Sequence, residues 1–162
     1  MSVTDVTHSP ETLTLTLTAQ FDATVDAVWD MWADPRKLER WWGPPLYPAT
    51  VVDHDLRPGG RMTYYMTGPE GEQFHGRWEV QEVAAPHALS FIDELAGDGG
   101  APSDDMPYAT SVVSIEDAGN GRTDMRIVNT FPSVEAMEQL IAMGMLEGLT
   151  EAVNQIDALL VA

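Results

Sequence analysis

Three polar side chains in this chain alternate with apolar neighbours at the period of a β-strand. Tyr64 lies in phase with Met62 and Met66, Asp93 with Leu89 and Phe91, and Asn129 with Met125, Ile127 and Phe131. On an otherwise apolar face an unpaired polar group costs about 1–3 kcal/mol, so each must find a partner in protein, water or ligand. A phenol and a carboxyl enclosed in such a place could also act as acid and base. The plainer readings are a solvated or capping Asp93 near a strand end and a Tyr64 bonded to a backbone carbonyl. His54, in phase with Val52 and Leu56, is a third titratable candidate, although a histidine so placed is more often a hydrogen-bonded core group than a catalyst.

Other chemistry is harder to find. His8, His54, His75 and His87 lack metal-ligand spacing, there is no cysteine, and neither a G-x-S-x-G elbow, a phosphate loop nor a dinucleotide fingerprint occurs. We therefore expect no metal and no cofactor, and no catalytic constellation stands out.

Twenty-six acidic residues face eight basic ones, giving a formal net charge of −18. Such a surface repels phosphate backbones and anionic headgroups, which argues against nucleic acid and membrane as partners. The excess of acids fits either a salt-adapted cytoplasm or the bias of a high-GC genome. No apolar run approaches the roughly 20 residues of a membrane span, and "MSVTDVTHSPETLTLTLT" lacks the basic start and apolar block of a signal peptide, so a cytoplasmic protein is expected. With 162 residues, 44% of them hydrophobic, the chain suits one domain over 1–162, with 1–11 as a flexible N-terminus.

The elements that must position the polar groups are readable in outline. "TLTLTLTAQF" (12–21) alternates threonine and leucine, predicting a half-buried strand with Leu13, Leu15 and Leu17 inward. Thr24 can cap a short helix, and Asp34-Pro35 a second one ending at Gly43-Pro44-Pro45. Turn signals then divide the chain into six strands near 48–55, 61–67, 73–83, 88–95, 107–116 and 123–131, an antiparallel meander. In "QFHGRWEV", Phe74, Gly76, Trp78 and Val80 share the inward face. The glycine-rich, acidic stretch 95–107 reads as a mobile loop.

Ser133 is the expected N-cap of one long final helix. Its apolar side carries Ile141, Met145, Gly148, Leu149, Ala152, Ile156 and Leu159, while Glu147, Thr150, Glu151, Asn154 and Asp157 point away, which excludes Glu147 as a catalytic acid. Gly144 and Gly148 each cost such a helix roughly 1 kcal/mol relative to alanine. With Ala152 they form a small-residue edge that either lets the helix lie close to the sheet or leaves room beneath it. Leu140, Met143 and Leu146 fall outside the apolar centre and are candidates for a homodimer contact.

Four stretches in this order carry a family resemblance: "ATVDAVWDMWADPRKLERWWGP", "DLRPGGRMTYYMTGPEGE", "HGRWEVQEVAAPHALSF" and "MGMLEGLTEAVNQIDALL". Residues 12–160 resemble the START/birch-pollen-allergen-like superfamily, SRPBCC, in the branch named after the activator of the heat-shock chaperone ATPase. Where that family usually has Gly-Trp in its last helix, this chain has Gly148-Leu149. The resemblance implies an α+β helix-grip fold, a curved antiparallel seven-stranded sheet wrapped around a C-terminal helix with an apolar cavity between them. It implies binding of a small hydrophobic ligand such as a lipid, polyketide or aromatic metabolite, with Trp41, Trp42, His54, Tyr64, Trp78, Phe91, Asp93, Asn129, Ile141, Met145 and Gly148 as candidate lining. An alternative is a cyclase- or hydratase-type enzyme using Asp93, His54 or Tyr64, and a more distant one is a chaperone-interaction module. Whether the chain is an enzyme stays open at this point.

Overall fold

The structure, a computed structural model, describes residues 2–95 and 108–160. Eight strands form one antiparallel sheet: β1 (Val3–Ser9), β2 (Thr14–Phe21), β3 (Ala49–His54), β4 (Arg61–Thr67), β5 (Gln73–Ala84), β6 (Ala88–Leu95), β7 (Tyr108–Gly119) and β8 (Arg122–Thr130). Their order across the sheet is β1-β2-β8-β7-β6-β5-β4-β3, so β3 to β8 are the expected meander and β2 closes onto β8. The expected loop 95–107 lies, from residue 96 on, outside the described residues. Helices α1 (Val25–Ala33) and α2 (Pro35–Trp41) fill the gap between β2 and β3. Thr24 accepts from the Ala27 amide at 3.2 Å and Asp34 from the Arg36 amide at 2.9 Å, the two caps that the sequence calls for.

The sheet has one strand more than expected. Val3–Ser9, expected to be a flexible N-terminus, pairs antiparallel with β2, and the Val3 amide donates to Asn154 Oδ1 at 2.9 Å. Only Val3, Val6 and Ser9 of this strand are shielded even partly, so its sequence has no clear alternation to read. Leu13, expected inward on the first strand, sits instead in the β1–β2 turn with φ +57°.

The final helix is broken. It runs as α3 (Val134–Ala142), α4 (Met145–Asn154) and α5 (Ile156–Leu160). Ser133 caps α3 as expected, accepting from the Ala136 amide at 3.1 Å, but Gly144 adopts φ +93° between α3 and α4, a left-handed conformation costly for any residue with a Cβ. The break resets the helical phase. Leu140 is consequently buried with Leu15, Ala109, Phe131 and Met137 and is unavailable for a dimer contact, whereas Met143 is exposed.

The two glycines thus differ in role. Replacing Gly144 by alanine should destabilise the protein by about 1–2 kcal/mol, because the left-handed break is lost or strained. The same change at Gly148, which lies inside α4 and where a Cβ would meet nothing within 4 Å, should stabilise it by ~0.5–1 kcal/mol. Urea unfolding of the two variants checks both signs.

Charge is weakly compensated. Among the described residues, ion pairs join Arg36 to Glu39, Lys37 to Asp30, Arg57 to Asp55, Arg77 to Glu94 and Arg122 to Asp22. None of these reaches Glu135, Glu138, Glu147 or Glu151 on the terminal helices. Folding gathers −18 charges into a small volume, and salt shortens the range of their repulsion from about 10 Å at 0.1 M to about 3 Å at 1 M. The melting temperature at neutral pH should therefore rise between low salt and 1 M sodium chloride. A flat or falling series would mean that the acids are already compensated.

Candidate functional site

The inner face of the sheet is apolar along β2 (Leu15, Leu17, Ala19, Phe21) and β8 (Met125, Ile127), and its centre is aromatic. Trp32 packs its ring against those of Trp41, Trp42, Trp78 and Phe91 at centroid distances of 4.7, 5.9, 5.9 and 6.3 Å. Trp78 stacks on Phe91 at 3.8 Å. Such pairs add roughly 0.5–1.5 kcal/mol each beyond burial of their area. Trp41 is fully buried and its indole donates to the Met31 carbonyl at 2.8 Å, so it anchors α2 to α1. Trp41, Trp78 and Phe91 therefore pack against their neighbours within the core.

His54 is not part of the polar group either. A β-bulge between Val51 and Asp53 shifts the phase of β3, leaving Val52 63% exposed and turning His54 towards α1. Its Nε2 lies 3.0 Å from the Trp32 carbonyl, and since a carbonyl only accepts, Nε2 carries the proton. Phe74, expected inward, is 52% exposed at the start of β5 and packs edge-on to Tyr47 at 5.9 Å.

Tyr64 and Asp93 do meet. They stand on β4 and β6 with β5 between them, and the residue of β5 directly opposite Tyr64 is Gly76. A methyl group at position 76 would overlap the phenol ring, so the missing side chain is what lets Tyr64 cross the intervening strand. Tyr64 Oη then donates to Asp93 Oδ1 at 3.1 Å. Trp78, opposite Asp93 in the β5–β6 register, and Trp42, edge-on to both Tyr64 and Trp78 at 6.1 and 4.8 Å, complete the cluster.

Burial sets the electrostatics of this pair. Loss of water raises the Asp93 carboxyl to about 7, opposed by the Tyr64 hydrogen bond and assisted by the nearby charge of Glu94. Tyr64 is pushed well above its ordinary value by burial and by the Asp93 charge, while the Trp42 indole, which faces its hydroxyl, opposes the shift. Both shifts favour the protonated forms, so the phenol keeps its proton and the carboxyl holds its own more firmly than an exposed aspartate does.

Asn129 belongs to a second polar pair farther along the sheet. Ser111 Oγ donates to Asn129 Oδ1 at 2.6 Å across β7 and β8. Among the described residues, three buried side-chain nitrogens have no hydrogen-bond partner: Trp42 Nε1, Trp78 Nε1 and Asn129 Nδ2. Sequence reading missed Ser111 and the purpose of Gly76, although Ser111 alternates with Ala109 and Val113 and Gly76 with Trp78. Opposite the sheet, Ile141, Met145 and Leu149 are only half-buried, and Gly148 faces open space. No group of three or more His, Cys, Asp or Glu side chains suited to a metal ion occurs among the described residues.

A curved antiparallel sheet closed by C-terminal helices over an aromatic interior with a few enclosed polar groups is the helix-grip architecture. Residues 22–161 match the family described as Activator of Hsp90 ATPase homolog 1-like protein, and the chain belongs to that family. It is similar to the crystal structure of protein Ms6760 from Mycobacterium smegmatis, with 51% identity over 98% of each chain and a TM-score of 0.88. A solution structure of a protein from Arthrobacter aurescens shares 44% identity over 99% of this chain and 92% of that one, with a TM-score of 0.94. DynU16, described as a putative protein in the dynemicin biosynthetic locus, shares the fold alone: 19% identity over 89% of this chain and 47% of that one, with a TM-score of 0.62. The chain matches none of the curated proteins. No helix among the described residues is long and apolar enough to cross a membrane.

Proposed function

We propose that this chain acts as one domain that binds a small hydrophobic molecule between the inner face of its sheet and α4. The observation that carries this reading is the space beside Gly148. A Cβ there would meet nothing within 4 Å, although Ala152, one turn on, is buried, and Met145 and Leu149 nearby are half-buried apolar side chains. Apolar walls with a few convergent polar groups are the usual composition of small-molecule sites. Tyr64 and Asp93 supply those groups, and lipids, polyketides and aromatic metabolites are the classes such walls suit. The same proposal takes the protein to be cytoplasmic, and its net charge of −18 speaks against a nucleic-acid partner.

Nile red tests this, being neutral and so indifferent to the acidic surface. We expect saturable one-to-one binding to the purified protein. Gly148→Leu should fill the space and weaken binding at least tenfold while the melting temperature holds. Undiminished binding by that variant would place the dye elsewhere and overturn the reading.

A second reading, an enzyme of the cyclase or hydratase kind, is favoured by the 3.1 Å contact of Tyr64 with a carboxyl held near neutrality. His54, committed to the Trp32 carbonyl, takes no part in it.

A further inference from the structure

On the surface, the end of the β1–β2 hairpin and α3 meet over an open groove. His8 and Pro10 form one wall and Val134, Met137, Ile141 and Ala142 of α3 the other, with a volume of about 280 Å³. Met137 is buried and Ile141 half-buried, whereas Val134 is 38% exposed. Open apolar surface with a charged rim is a mark of an interaction site. His8 and Pro10 precede residues 22–161, so one wall is built from residues beyond the family match. The charge around the groove is one-sided. Arg36 is the first basic residue of the chain and Arg126 the last, so β1, β2 and α3 contain neither lysine nor arginine. Glu138 stands in the groove wall, Glu135 lies one turn before it on α3, and Glu11 follows Pro10. All three are exposed, and among the described residues none is in an ion pair. A second copy of the chain would bring the same acids to the groove, an approach of like charges that is unfavourable.

We infer that this groove docks a short, basic amphipathic segment of another protein. The segment seats a large apolar side chain against Val134 and Ile141 and sets lysines or arginines opposite Glu138, Glu135 and Glu11. Exposed ion pairs contribute little in water, so the apolar contact supplies most of the affinity and the acids select the partner. The inference is independent of the interior binding site, since it requires no ligand there.

The probe is a fluorescein-labelled peptide, Lys-Lys-Leu-Phe-Lys-Lys-Leu-Leu-Lys, titrated with the full chain at about 0.15 M salt and followed by anisotropy. Saturable binding is expected, and a peptide with serine in place of the leucines and phenylalanine should bind more weakly by roughly fivefold or more. Glu138→Lys should weaken binding of the first peptide roughly fivefold. Glu70→Lys makes the same change in net charge in the β4–β5 turn, on the other half of the sheet, and should leave binding within about twofold because salt screens charges at that distance. In the unaltered protein, which needs no variant to fold, the peptide should shift the methyl signals of Val134, Ile141 and Ala142. Absence of binding overturns the inference. Equal weakening by the two charge variants, or undiminished binding of the serine peptide, would reduce the contact to attraction between net charges and overturn it too. Self-association that shifts the same methyl signals without peptide would make a second copy the occupant, with the same result.

Discussion

Asp93→Asn should raise the melting temperature by several degrees at pH 8.5 and leave it nearly unchanged at pH 4. The carboxyl stands at about 7 in the folded protein against an ordinary 3.8, chiefly because burial disfavours its charged form. Between those two values the native state holds a proton that the unfolded state has released. Stability therefore falls as pH rises through this window, and the whole penalty is present above pH 7. Each unit between the two values corresponds to ~1.4 kcal/mol, a ceiling of roughly 4 kcal/mol. Asp93 is half-buried, and water at its exposed edge reduces the expected effect to about 1–3 kcal/mol. For a domain of this size that is on the order of 2–12 °C. Asparagine keeps an oxygen for Tyr64 and carries no charge, so the variant should gain what the wild-type loses. The check is the difference in melting temperature between variant and wild-type across pH 4 to 9, in which all other carboxyls cancel. A difference that does not change with pH would show Asp93 to be an ordinary solvated acid.

Trp32→Ala should cost about 3–5 kcal/mol, a large share of the roughly 5–15 kcal/mol that holds a domain folded. Trp32 is fully buried, touches four aromatic rings, and directs its indole at Met125 Sδ, 3.4 Å away across the core on β8. Its loss leaves a cavity at the point where α1, α2 and the sheet meet, and Trp41, Trp42 and Trp78 each lose a packing surface. The urea midpoint should drop sharply with the slope unchanged. A loss below 1 kcal/mol would mean that the aromatic cluster collapses freely into the gap, in which case it does not hold the Trp42 and Trp78 indoles in place.

The Tyr64–Asp93 pair illustrates how far strand alternation reaches. Period two placed both residues on the inner face, because successive side chains of a strand must point to opposite sides. It could not say that they would touch. That depended on β4, β5 and β6 lying side by side and on Gly76 occupying the position between them, a matter of register between segments far apart in the chain. His54 shows the opposite case. Its apparent phase with Val52 and Leu56 was undone by one extra residue at the β3 bulge, which alternation within a single strand cannot reveal.

Local rules determined the elements with caps and turns. Thr24, Asp34 and Ser133 cap their helices because a side-chain oxygen and a free amide three residues or fewer apart meet whatever surrounds them. The acidic excess and the helix-grip order of elements were equally legible, since both are read along the chain. What only the tertiary structure decided was set by contacts between distant segments. The N-terminal strand Val3–Ser9 exists because β2 offers it an edge and Asn154 a hydrogen bond, not because its own sequence alternates. Gly144 breaks the last helix where Leu140 turns towards Leu15 and Phe131 and α4 begins a new phase, whereas Gly148, alike in sequence, stays helical beside open space. One glycine is a hinge and the other a gap because backbone torsion and packing, and not residue type, distinguish them.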